Sequence, residues 1–246
     1  MKFPLKASLL FFTFLTARTY AETEEVKPSI GVNLSLDLQS YKGKEIESSI
    51  LPTAFYDGQF FYAAGDQAGL NLYRDTNNLL RLYAYYDGTM YRPSGPLALL
   101  DQRKWSVLVG GSYMYTSDYG ALKLSAAHDV LSRSHGAIAN VSYIAAWETG
   151  LWSLYPEFGL QWNSLKYNQY YFAVNSLEAK RSGIASYSLG SSVYPYASLA
   201  VDYELNKHWS IYTTYRVNYL SENQYKSPMS KNHIEFESGF GVNYTF

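Results

Sequence analysis

Hydrophobic residues recur at every other position in stretches of about ten residues through the second half of this chain, and aromatic residues stand at the ends of those stretches. Trp105 and Tyr115, Trp152 and Trp162, Trp209 and Tyr219, and Phe236 and Phe246 are each ten residues apart, and Trp147 ends a further stretch. Residues an even number apart on a β-strand share one face, so each pair flanks a single face. Ten steps of about 3.3 Å, tilted by about 40°, project to roughly 25 Å, the apolar height of an outer-membrane barrel between its two aromatic girdles. Between Trp152 and Trp162 that face carries Leu154, Pro156, Phe158 and Leu160, while the other carries Ser153, Tyr155, Glu157, Gly159 and Gln161. The first suits lipid and the second a wet lumen.

The same alternation predicts strands near 29–38, 49–56, 59–64, 67–73, 79–86, 104–115, 119–131, 135–147, 151–163, 193–206, 209–221 and 233–246. Thr116 to Asp118, Glu148 to Gly150 and Asn206 to His208 read as tight periplasmic turns, and 87–103, 163–192 and 222–232 as outer loops. The fold class is therefore all-β, a transmembrane antiparallel up-and-down barrel of about 12 strands. With both termini in the periplasm the strand count is even. Three short crossings within 49–73 give twelve, but stretches of six or seven residues fall below the roughly 9–11 that span a bilayer, so ten strands is the alternative.

Composition agrees with this architecture. The mean hydropathy is −0.23, and no apolar run beyond the first twenty residues is long enough for a spanning helix. The 26 tyrosines among 17% aromatic residues suit strands that cross an interface, where one end of the ring is apolar and the other wet. The absence of cysteine rules out a disulfide scaffold and thiolate metal sites.

Two lysines, a short apolar core and small residues near Ala21 mark 1–21 as a cleaved export signal, leaving 22–246 as the barrel domain. Loss of Lys2, Lys6 and Arg18 leaves 17 basic against 21 acidic residues, which is no signature of nucleic-acid binding. At the other end, Gly241, Tyr244 and Phe246 form the pattern that barrel-assembly machinery reads in a last strand, and Gly239 stands where a polar residue is usual. Arg81, Lys123, Glu157, Asp202, Glu204 and Arg216 alternate with apolar neighbours and are expected in the lumen as a mixed-sign plug, since no ring of one charge forms.

Tyr170, Tyr171, Phe172, Ala173 and Val174, followed by Glu178, Ala179 and Tyr187, are similar to the YYFGV…EA…Y signature of the MipA/OmpV family of outer-membrane proteins. Asp129 with His135 and Gly136 resembles that family's D…HG hairpin, Ser227 and Pro228 match the Ser-Pro of its last outer loop, and Arg103 ahead of Trp105 and Gly110 is similar to another family segment. Ala173 stands where the family carries Gly, so a left-handed backbone there would be strained. The resemblance implies a Gram-negative outer-membrane barrel that interacts with the murein hydrolase MltA and scaffolds murein-synthesising and murein-hydrolysing enzymes. It also allows a surface adhesin, because other members are described in that way.

The remaining chemistry is sparse. His135 adjoins Ser132 and Ser134 with Asp129 nearby, the parts of an acyl-transfer site such as an outer-membrane lipid hydrolase would need. A loop tip rich in Ser, His and Gly is ordinarily a turn, so no catalytic residue is assigned. His128 shares the alternating face of Leu122, Leu124 and Ala126, and the scattered histidines lack ligand spacing, so no metal or cofactor is expected. Residues 163–192 are the best functional candidate, either as a plug or as a binding surface. The expected partners are outer-membrane lipid, the assembly machinery and murein enzymes; a small porin or solute-specific channel is the rival reading.

Overall fold

A computed structural model describes residues 27–43 and 46–246; the expected signal, 1–21, lies outside the described residues. Among the described residues thirteen strands form one antiparallel sheet: β1 (Ser29–Leu38), β2 (Ile46–Asp57), β3 (Phe61–Gly65), β4 (Gln67–Arg74), β5 (Asn78–Asp87), β6 (Ser106–Ser117), β7 (Gly120–Asp129), β8 (Ala137–Ile144), β9 (Trp147–Thr149), β10 (Trp152–Asn163), β11 (Ser192–Glu204), β12 (Trp209–Tyr219) and β13 (Ile234–Thr245). Each pairs with its neighbours in chain order, except that β8 and β9 both lie against β10 and not against each other, and β1 pairs with β13 from Ser29↔Thr245 to Leu38↔Phe236. The sheet thus closes into a barrel. No helix among the described residues is long and apolar enough to cross a membrane.

The barrel has twelve crossings, because β8 and β9 are two halves of one. The expected strand 135–147 is interrupted at Ala145 and Ala146, beside Pro156 of β10. Proline has no N–H to give a ladder. Its carbonyl still accepts from the Ala145 N–H at 3.0 Å, and the pairing then skips to Trp147↔Leu154.

Only two crossings are short, where three were expected. β2 runs twelve residues, but β3 and β4 have five and eight and turn back inside the wall at Gly65 and Asp66. Gly65 has φ +69° at the first position of this two-residue turn, the place where a type II′ hairpin requires glycine.

Alternation decides the faces. Along β1, Ile30, Val32, Leu34, Leu36 and Leu38 are 42% to 53% exposed on the outside. On β10, Phe158 and Leu160 face out while Tyr155 and Gln161 are buried inside. The girdle residues Trp105, Tyr115, Trp147, Trp152, Trp162, Trp209, Tyr219 and Phe246 are all exposed on the outer surface, and Phe236 is half-buried against the Tyr215 ring. His128 also points outward.

Inside, Arg81, Arg216 and Glu157 of the expected charges lie in bonded groups. Arg81 donates to Asn71 and Asp57, both at 2.7 Å, with its guanidinium 4.0 Å from the centre of the Tyr62 ring. Arg216 lies 3.7 Å over the Tyr196 ring and donates to Gln161 and Asn218. Glu157 accepts from the Tyr196 hydroxyl at 2.7 Å. Lys123 lines the lumen, Asp202 is buried and Glu204 half-buried. Two lumen tyrosines also lie flat across glycines of the neighbouring strand: a Cβ at Gly241 would fall 2.1 Å from the Tyr212 ring, and one at Gly159 would fall 2.6 Å from the Tyr196 ring.

The face assignment has a direct test. Phe158→Arg places a charge against acyl chains and is expected to cost about 2–4 kcal/mol, whereas Glu157→Gln, on the lumen side, costs much less. Reversible unfolding in lipid measures both, and equal losses would mean that the faces are exchanged.

Candidate functional site

The loop expected at 163–192 is two helices. In α1 (Leu165–Phe172) the Ser164 hydroxyl accepts the Tyr167 N–H, and in α2 (Ser176–Ser182) Asn175 and Glu178 form a reciprocal capping box. The last outer loop contains a single helical turn, α3 (Glu222–Tyr225), capped in the same way by Ser221 and Gln224. These helices, the 88–105 loop and the Tyr41 end of the first loop pack into one apolar cluster over the barrel mouth. Tyr41, Tyr91, Tyr171, Phe172, Leu220 and Met229 form its centre.

Most family-signature residues meet in this cap. The Glu178 carboxylate is fully buried; its Oε1 accepts from Arg103 Nη2 at 2.8 Å and from the Asp101 N–H at 2.9 Å, and its Oε2 accepts from the Asn175 N–H at 3.0 Å. Arg103 also donates to the carbonyls of Asp101 and Ala173. The Tyr170 hydroxyl accepts the Lys104 N–H, and the Tyr171 hydroxyl donates to the Lys104 carbonyl. Val174 and Tyr187 exchange both main-chain bonds at 2.9 Å. Ser227 donates to the Phe172 carbonyl at 2.6 Å, and the Pro228 carbonyl accepts from Lys42. Ala173 has φ −86° and ψ 154°, extended backbone that needs no glycine, so the departure from the signature costs nothing here.

The D…HG hairpin is a structural tie. Asp129 accepts the main-chain N–H groups of Leu131, Ser134 and His135 and the Ser106 hydroxyl. Ser134 in turn accepts the Gly136 N–H. Gly136 is needed for contact with α1, since a Cβ there would fall 2.6 Å from the Tyr167 nitrogen. Asp129 therefore meets His135 through the backbone, which is the geometry of a tight turn and not of a base held by an orienting carboxylate.

Below the cap lies a chamber of about 470 Å³. Burial pushes the Tyr91 hydroxyl up to about 12 and those of Tyr41, Tyr167 and Tyr171 well above the ordinary tyrosine range, so the roof stays uncharged at these positions through neutral pH. Sequence pattern located Arg103 and Glu178 separately but not their pairing across 75 positions. It missed Tyr41, Tyr91, Gln224 and Met229 altogether. The capping residues Ser164 and Asn175, with Glu178 three positions after Asn175, were the legible signal for the helices.

The family model described as MltA-interacting protein MipA matches residues 30–246. MltA-interacting protein of Escherichia coli (strain K12) is 30% identical over 226 residues, covering 90% of this chain and 91% of that one. Outer membrane protein OmpV of Vibrio cholerae is 26% identical, with 98% and 97% covered. Among solved structures, the COG4313 outer membrane channel from Pseudomonas putida F1 aligns with a TM-score of 0.47 at 9% identity, covering 92% of this chain and 98% of that one.

Two outcomes follow from the cap. Glu178→Ala leaves the Arg103 guanidinium buried without its partner and is expected to cost about 3–5 kcal/mol, read as faster proteolysis within 163–192 while the barrel keeps its heat-modifiable mobility. In planar bilayers the intact protein should show little steady conductance at neutral pH, and removal of 168–186, which takes Tyr171, Phe172 and Glu178 from the roof, should raise it.

Proposed function

The chain belongs to the MltA-interacting protein MipA family, and from that premise we propose that it is a non-enzymatic scaffold holding murein-synthesising and murein-hydrolysing enzymes at the outer membrane. It is an outer-membrane barrel, as its OmpV relative is named. The observation that carries the proposal is the 30% identity, over nearly the whole length of both chains, to a protein named for interacting with MltA. The cap supports it: a barrel whose mouth is roofed by packed tyrosines is better suited to presenting surfaces than to passing solutes.

A partner acting on murein reaches the barrel from the periplasm and meets its short turns. There Tyr119 is 87% exposed, and Leu151 and Leu205 are each about half exposed. Exposed tyrosines with apolar neighbours are the residues from which interface hot spots are built. The apolar outer wall binds lipid on this reading, and Gly241, Tyr244 and Phe246 present the last strand to the assembly machinery.

Mature protein in lipid nanodiscs, used as bait in envelope extract, should enrich the murein hydrolase MltA and murein synthases. Tyr119→Ser combined with Leu151→Ser should weaken that capture by about tenfold or more, whereas Leu177→Ser on the outer cap should not. Enrichment no greater than with an unrelated barrel of similar size would overturn the scaffold reading.

A further inference from the structure

The wall of the barrel is incomplete at one place. β2 pairs with β1 from Ile46 to Phe55, but with β3 only from Ala54 to Asp57. Among the described residues, 46–53 have a ladder on one side alone. The cause is local: β3 and β4 turn back at Gly65 and Asp66, and Pro52, which has no N–H for a ladder, lies just above the last β2–β3 pair. The opposite bank is the end of β5, where Tyr86 N–H donates to the Asp66 carbonyl at 3.1 Å before the chain leaves the wall.

This gap lies toward the outer leaflet, since the Tyr86 ring packs 5.2 Å from Trp105 of the upper girdle. A strand edge cannot face acyl chains without satisfying its N–H and C=O groups. The chamber reaches the gap: its lining includes Glu47, Ser49 and Leu51 from β2, Asp66 from the hairpin tip, and Asp87 and Met90 from the far bank. Above it the packed cap lies across the axial route. Outside, Ile46 and Ile50 are 56% and 70% exposed.

We propose that the gap is a lateral portal through which a single-chain amphiphile with a cationic head moves between the outer leaflet and the chamber. Its tail lies along Ile46 and Ile50 and its head reaches Glu47. Charge complementarity favours a cationic head, for the lining holds seven acidic side chains, Glu47 among them at the portal, against Lys123 and Arg216. A second observation shows that Glu47 takes a cation at this spot: Arg92, from the loop on the far bank, reaches across to it at 3.3 Å. Arg92 is thus a latch over the portal, and an incoming head group replaces its guanidinium.

Full-length mature protein in phosphatidylcholine nanodiscs, titrated calorimetrically with dodecyltrimethylammonium against protein-free nanodiscs, tests this. Saturable binding of one amphiphile per barrel is expected, with none for dodecyl sulfate and none for tetramethylammonium, which lacks the tail. Glu47→Gln removes the coulombic attraction for the quaternary ammonium and should weaken binding by about tenfold. Arg92→Ala should tighten it about two- to fivefold, because a competing ion pair is removed; damage to the fold would move affinity the other way, and heat-modifiable mobility checks the fold in both variants. Partition indistinguishable from protein-free nanodiscs, equal binding of tetramethylammonium, or weaker binding by Arg92→Ala would each overturn the portal.

Discussion

A sheet in a bilayer has no water to solvate its edges, so the ladder that joins its first and last strands governs everything else. Here that ladder runs the full length of β1 against β13, and Phe246 adds a bond from its N–H to the Pro28 carbonyl. Once the ends are joined, alternation does the rest. Every odd or even set of side chains is committed either to lipid or to a closed interior, and polar residues accumulate inside because nothing else there is wet. The stretch of β2 with a ladder on one side alone stands out against this rule: among the described strands it is the place where the second ladder is missing over many residues, and there the lumen meets the membrane.

Much of this architecture was legible in the chain. A strand between two solvents of opposite character needs strict alternation, so 29–38 matches its observed bounds and the aromatic residues spaced ten apart fall on the outer face, Phe236 half-buried among them. What was not legible depended on partners. Pro156 breaks a strand other than its own, so no inspection of 135–147 reveals the interruption at Ala145 and Ala146. The aromatic run Tyr170 to Phe172 carried no periodicity that separated helix from loop; its helix is fixed by packing over the mouth, and the capping residues were the only local trace. Arg103 and Glu178 form their pair only when two outer loops are brought together.

The residues that resemble the family signature have a common physical role. Glu178, Arg103, Tyr171, Val174 and Ser227 bind outer loops to one another, and Asp129 and Gly136 shape the hairpin on which α1 rests. In this structure these residues hold the roof together. The functional reading accordingly moves to what the roof leaves open and to the turns at the opposite end.

The tyrosines that lie over Gly241 and Gly159 change how the interior is measured. Strand number and shear set the radius of a barrel, but the free space inside also depends on whether large side chains stand upright or recline against the wall. Tyr212 and Tyr196 recline because glycines on the next strand leave them a shallow bed. The space beside Tyr196, which lines the chamber, thus depends on a missing methyl group at Gly159, and such space could drift between related chains by glycine exchange alone, with strand count, register and roof unchanged.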